Sequence, residues 1–242
     1  QPDDSRIWPG GDATQAAECG LARAVVESMR ARKVFASIDL HNNTGLNPHY
    51  ACVNRLDSAW LHLATLFSRT VVYFTSPRGV QSGAFAELCP AVTLECGKPG
   101  TGVEHATAYL EACLHLAAFP EHPVHAQDID LFHTIATVKV PDDARFAFAP
   151  GEGEIEFAAD LDHLNFRELP AGSALGRLRG GRDLCLRAFD ESGREIGRSV
   201  FDCADGHIRL RQALMPAMLT LDAQVIRQDC LCYLMERLPP PA

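Results

Sequence analysis

"SIDLHNNTG" (residues 37–45) is a run of strand-forming residues that ends in Asp39-Leu40-His41 and gives way at once to Asn42, Asn43, Thr44 and Gly45. In a strand side chains alternate, so Val34, Ala36, Ile38 and Leu40 fall on one face and Phe35, Ser37, Asp39 and His41 on the other. Asp39 and His41 therefore project together at the C-terminal end of the strand, where open α/β sheets bind ligands. A carboxylate beside an imidazole is the arrangement that orients a metal-ligating histidine. It equally suits a hydrogen-bonded histidine at a strand end.

Working outward, strands alternate with helical patterns. Residues 12–32 read as a helix that Asp12 or Thr14 can cap, with Ala17, Leu21, Val25 and Met29 recurring on one face. Strands are expected at 34–41, 49–54, 70–75 ("TVVYFT") and 91–96, with helices at 57–68, 82–88 and 102–118. This alternation implies an α/β sandwich with a largely parallel or mixed sheet. At "FPEHPVH" (119–125) Pro120 and Pro123 break the pattern. Short strand candidates follow at 131–140, 145–149, 153–158, 183–189 and 195–201, divided by Pro150-Gly151, Gly180-Gly181 and Ser192-Gly193. A first domain over 1–121 and a β-rich second domain over 126–242 are expected.

The second informative stretch is "PAVTLECGKPG" (90–100), in which Val92, Leu94 and Cys96 share one face and Ala91, Thr93 and Glu95 the other. Glu95 closes an apolar strand just before Gly97. A carboxylate there is costly to desolvate unless it is paired, neutral, or beside water and a cation. A glutamate paired with a structural lysine or arginine satisfies that requirement, and so does an active-site base.

The bulk numbers narrow the class. A length of 242 residues, with 47% hydrophobic and 22% charged side chains, suits a globular protein of one large or two modest domains. The formal charge of -9 argues against a general nucleic-acid binder. No apolar run approaches the ~18 residues of a membrane span, and no signal peptide is visible. The nine cysteines are scattered, most of them inside apolar runs, and read as reduced thiols of a cytoplasmic protein.

"SIDLHNNTG" followed by "PAVTLECGKPG" resembles the succinylglutamate desuccinylase and aspartoacylase family of the zinc carboxypeptidase superfamily. In that family an Asp-Leu-His strand supplies the third zinc ligand, and a Thr-Leu-Glu-x-Gly strand supplies the glutamate that activates the zinc-bound water. The resemblance implies His41 as a metal ligand and Glu95 as general base, 54 positions apart. "DDSRIWPG" (3–10) is similar to the family's Asp-x-Asn-Arg-x-Phe-Pro-Gly segment, whose Asn-Arg pair holds the substrate carboxylate. Arg6 matches the arginine, while Ser5 replaces the asparagine. "HLNFRELPAGSALG" (163–176) resembles the Asn-Phe segment of the family's β-rich C-terminal domain.

The implied fold is a mixed-sheet, zinc-carboxypeptidase-like α/β/α domain followed by a β-rich domain. The implied activity is zinc-dependent hydrolysis of a linear amide, removing the acyl group from an acidic N-acyl amino acid such as N-succinylglutamate or N-acetylaspartate. Neither nucleic acid nor membrane is an expected partner, and a homodimer is the assembly considered. The family's first two zinc ligands come from a His-x-x-Glu motif before the Asn-Arg segment. No His-x-x-Glu occurs in the 242 residues, so those ligands are expected upstream of Gln1. Glu111 with His115, and His122 with His125, are the substitutes the chain itself offers. The alternatives are a zinc carboxypeptidase acting on peptides and a metal-free relative that binds a ligand without chemistry.

Overall fold

The computed structural model describes residues 6–11, 17–179 and 184–239. Asp12 and Thr14, Ser5 and the Gly180-Gly181 turn lie outside these residues. The chain divides into two units, one of Gln1–Asn42, Pro48–His133 and Arg237–Ala242, the other of Asn43–Asn47 and Thr134–Glu236.

The first unit runs α1 (Ala17–Arg30), β1 (Ser37–His41), β2 (Tyr50–Val53), α2 (Ser58–Thr65), β3 (Thr70–Tyr73), α3 (Gln81–Phe85), β4 (Ala91–Glu95) and α4 (Val103–Leu114). It ends in the first residues of β5 (Asp130–Lys139). The strand order is β1-β4-β2-β3-β5. β4 is parallel to β1 and antiparallel to β2, while β2, β3 and β5 run parallel, so the sheet is mixed. β-branched side chains such as Val71 and Val72 favour these short strands, which stay apolar where both faces are covered.

The two faces differ in chemistry. Ala51, Val53, Val71, Val92 and Leu94 pack with Leu61, Leu63 and Ala64 of α2 and with Ala106 and Tyr109 of α4. On the opposite face Ala91 of β4 packs with Val26 of α1 and Phe85 of α3. Helices thus cover both sides of one sheet, which is the α/β/α layering the sequence implies.

Two details depart from expectation. In α1 the buried residues are Cys19, Ala22 and Val26, while Leu21 is 69% exposed. Residues four apart drift about 40° around a helix of 3.6 residues per turn, so a strict four-residue repeat cannot stay on one face. The segment 195–201, expected as a strand, instead forms the short helix α5 (Gly197–Val200) before it extends. Glycine is favoured at the start of this helix, because a side chain at Gly197 would meet the carbonyl oxygen of Leu186 at 2.9 Å.

The second unit continues β5 and adds β6 (Phe146–Phe148), β7 (Ile155–Phe157), β8 (Ala174–Leu178), β9 (Arg187–Phe189), β10 (Phe201–Asp202), β11 (His207–Leu210), β12 (Met215–Ala217), α6 (Ala223–Gln228) and β13 (Cys232–Arg237). Five strands form a sheet in the order β10-β11-β8-β7-β6. Ile155, Phe157, Leu175, Ile208 and Leu210 bury their side chains in one core with Leu219 and Leu231. Cys185 and Cys203 are joined as a disulfide across 18 positions, which corrects the expectation that all the cysteines are reduced. The segments next to β9 and β10 bring their Cα atoms to 5.9 Å, a normal disulfide spacing. The other seven cysteines form no disulfide. Among the described residues no helix is long and apolar enough to cross a membrane.

Candidate active site at the end of strands β1 and β4

β1 and β4 are parallel and in register, with Asp39 opposite Thr93 and His41 opposite Glu95. Register partners on neighbouring strands point to the same face, so two residues 54 apart in the chain meet at one sheet edge. Nδ1 of His41 lies 4.0 Å from Oε1 of Glu95. That is beyond a direct hydrogen bond and within the span a single water bridges. The other ring nitrogen, Nε2, is 3.0 Å from Oδ2 of Asp39. His41 is therefore flanked by two carboxylates, one from its own strand and one from the next. His41 and Asp39 are partly exposed, whereas Glu95 is 7% exposed.

The preceding residues of the same face are sealed by α3. The Gln81 amide donates to the Ser37 hydroxyl (3.2 Å) and to the carbonyl of Ile38 (3.4 Å), and the Thr93 hydroxyl donates to that of Ser82 (3.0 Å). These contacts stop one side-chain repeat short of His41 and Glu95. From the other flank β2 runs antiparallel to β4, placing Tyr50 opposite Glu95 and Cys52 opposite Thr93. Burial, together with the charge of Glu95, pushes the Cys52 thiol well above its ordinary pKa and keeps it neutral. Sequence alternation alone does not find Cys52, because nothing local says that β2 pairs with β4.

The polar turn after His41 has a structural answer. The Asn42 side chain donates to the carbonyl of Gly97 at 3.2 Å, tying the ends of β1 and β4 together. Gly97 sits at φ 82°, a conformation glycine adopts without a Cβ penalty, and a side chain there would crowd the His49 ring. Asn43–Asn47 belong to the second unit. There Asn43, 4% exposed, accepts from Asn47 (3.0 Å), Asn47 accepts from the backbone N–H of Met218 (3.0 Å), and the Thr44 hydroxyl donates to that of Thr220 (2.8 Å). Gly45 approaches so closely that an added Cβ would lie 2.0 Å from the carbonyl oxygen of Leu219. Asn165 holds the same segment, accepting from the Leu219 N–H and donating to its carbonyl, each at 2.8 Å. Thr44, Gly45 and Asn47 on one side and Asn165 on the other thus hold residues 218–220 between them.

Arg6 stands in a short helical turn whose carbonyl would meet a side chain at Gly79 at 2.7 Å, and the N–H of Trp8 donates to the Gly79 carbonyl at 2.9 Å. Two residues later Gln81 reaches β1. Of the sequence-predicted residues, the structure brings His41, Asp39 and Glu95 together and sets Arg6 on this packed loop. The other histidine pairs lie elsewhere. His122 stacks near His125 and His62, with its Nδ1 2.9 Å from the carbonyl oxygen of Pro123, while His115 caps α4 after the exposed Glu111. Among the described residues no group of three His, Cys, Asp or Glu side chains is arranged to hold a metal ion. The described residues therefore do not fit a complete zinc site, for which three protein ligands are the rule.

No protein-family model matches the sequence, and no curated protein matches it. Solved structures do match. Murine aminoacylase 3 superposes with a TM-score of 0.58 at 13% identity, covering 97% of this chain and 74% of its own. The succinylglutamate desuccinylase of Chromobacterium violaceum gives 0.58 at 15% identity, covering 99% and 68%. The succinylglutamate desuccinylase/aspartoacylase of Rhodobacter sphaeroides gives 0.54 at 15%, covering 98% and 68%. This chain therefore has the mixed α/β fold of the succinylglutamate desuccinylases and of aminoacylase 3.

Proposed function

We propose that the paired ends of β1 and β4 form the water-activating centre of an amide hydrolase that deacylates an acidic N-acyl amino acid. The observation that carries this reading is the pairing of Glu95 with His41, a nearly buried carboxylate 4.0 Å from an imidazole, a separation that a single water can bridge. Glu95 accepts a proton from that water as its oxygen attacks the amide carbonyl, and returns the proton to the nitrogen as the C–N bond breaks. The products are a carboxylate and a free amine. Asp39 fixes the ring of His41 through Nε2 and so directs Nδ1 toward the water site. Arg6 is assigned to the substrate carboxylate, which a guanidinium grips with two parallel hydrogen bonds.

Zinc is the metal the sequence resemblance implies, and His41 is the ligand this edge offers. The described residues do not complete the set of three protein ligands. A second reading, ligand binding without turnover, is favoured by the same one-imidazole arrangement. Incubating the 242-residue chain with N-succinylglutamate, N-acetylaspartate and a C-terminally free dipeptide separates the readings. Release of amine from the acidic N-acyl substrates supports the deacylase. Release from the dipeptide alone marks a peptidase, and saturable binding without release marks a ligand-binding protein.

A further inference from the structure

The five-stranded sheet of the second unit carries a cavity of about 450 Å³, within the range of small-ligand sites, and it shares no residue with the β1–β4 edge. Its polar lining comes from neighbouring strands. Glu156 of β7 is opposite Arg177 of β8, and Arg177 is opposite His207 of β11, so the three side chains project to one face. Arg209 follows after a register shift at Ile208 and also lines the cavity.

The charges there do not cancel. Glu156, 7% exposed, has its carboxylate hydrogen-bonded to the Arg179 guanidinium. That pairing leaves Arg177 with no carboxylate partner among the described residues. Arg209 donates from Nη1 to the carbonyl of Gly172 at 3.1 Å and makes no ion pair among the described residues. His207 has its Nδ1 2.9 Å from the carbonyl oxygen of Asp205, which leaves its chemistry at the cavity to the other ring edge. Two guanidiniums thus converge on one hollow in a chain whose net charge is -9. The remaining wall is made of small or apolar residues such as Ala158, Ala174 and Phe157, which leave room for a ligand.

We infer that this cavity binds a small dianion, a phosphate or a dicarboxylate, between Arg177 and Arg209. Planar forks of N–H donors match both oxyanion types, and two forks discriminate a dianion from a monoanion. The low-dielectric floor of the sheet strengthens that attraction relative to a flat surface.

Calorimetric titration of the 242-residue chain at low ionic strength, with inorganic phosphate, succinate and acetate in separate runs, tests the assignment. One equivalent of phosphate or succinate is expected to bind, with a Kd on the order of 1 mM or tighter. Acetate is expected to bind at least tenfold more weakly. Whichever dianion binds more tightly identifies the oxyanion type. R177A/R209A should weaken binding at least tenfold while leaving the melting temperature within a degree or two, since both side chains are exposed. Because both residues lie outside the β1–β4 edge, any deacylase activity should be unchanged. No dianion binding up to about 50 mM, or binding that R177A/R209A leaves intact, overturns the proposal and makes the cavity a solvated charged face.

Discussion

His41 and Glu95 are register partners on neighbouring parallel strands, and Nδ1 of the one lies 4.0 Å from Oε1 of the other. Strand register alone produces this relationship: a slip of one residue along β1 would turn Asp39 and His41 to the opposite face. Asn42, bonded to the carbonyl of Gly97, ties the two strand ends at this point. The chemistry of the edge therefore depends on backbone pairing as much as on side-chain identity.

Zinc binding tests how much of a metal site this edge provides. Affinity grows with the number of correctly placed ligands, and one imidazole holds zinc loosely. Equilibrium dialysis of the 242-residue chain should give weak binding that His41→Ala lowers further. Asp39→Asn should have the smaller effect, because it changes the orientation and basicity of the ring without deleting a ligand. Tight stoichiometric binding unaffected by His41→Ala would move the metal to another group of residues.

Gly45→Ala should destabilise the protein by about 2 kcal/mol or more, because the new methyl must displace the backbone of Leu219 rather than a flexible side chain. Gly20→Ala is the matched control: it lies in α1 with nothing within 4 Å of the added methyl. That change should raise stability by up to about 1 kcal/mol, through helix propensity. Urea unfolding of both variants reads the two signs. A neutral Gly45→Ala would mean that the turn does not pack on residues 218–220 in solution.

Acid should remove one definable contribution. The hydrogen bond from Arg69 (2.7 Å), with support from Arg237 (3.2 Å), holds the Asp130 carboxyl below its ordinary pKa. A depressed folded pKa contributes stability that is fully present above the unfolded value of about 3.9 and is lost as pH falls through the folded pKa. Asp130→Asn should thus lower stability at pH 7 and have little effect near pH 2. The pair is partly solvated, so the loss at neutral pH should be below about 1 kcal/mol. Denaturation midpoints at the two pH values test this, and an equal loss at both would trace the effect to packing.

Much of the first unit is legible from local pattern. Alternation alone sets Ser37, Asp39 and His41 on one face and Ala91, Thr93 and Glu95 on another, and the sheet joins those two faces in register. The phase of α1 is less legible, because Leu21 satisfies the same four-residue repeat as Val25 and Met29, yet it is exposed while they pack against the core. Pairing is not local at all. Nothing in "YACV" announces that Tyr50 will face Glu95, or that Cys52 will lie beside that carboxylate. The resemblance marks the Asn165-Phe166 segment, but no local pattern shows that the Asn165 amide pairs with both backbone groups of Leu219, 54 positions away. The Cys185–Cys203 bond is hidden for the same reason, since spacing among nine cysteines does not select partners.

The most direct test of the proposed centre is the rate of amine release from N-succinylglutamate and N-acetylaspartate by the wild-type chain and by Glu95→Gln. The substitution keeps the volume and one carbonyl oxygen but removes the capacity to accept a proton. With circular dichroism unchanged, the proposed centre requires turnover of at least one of the two substrates by the wild type, and a fall of roughly 100-fold or more in Glu95→Gln. Near-normal turnover by Glu95→Gln, or no amine release from either substrate by the wild type, would contradict it.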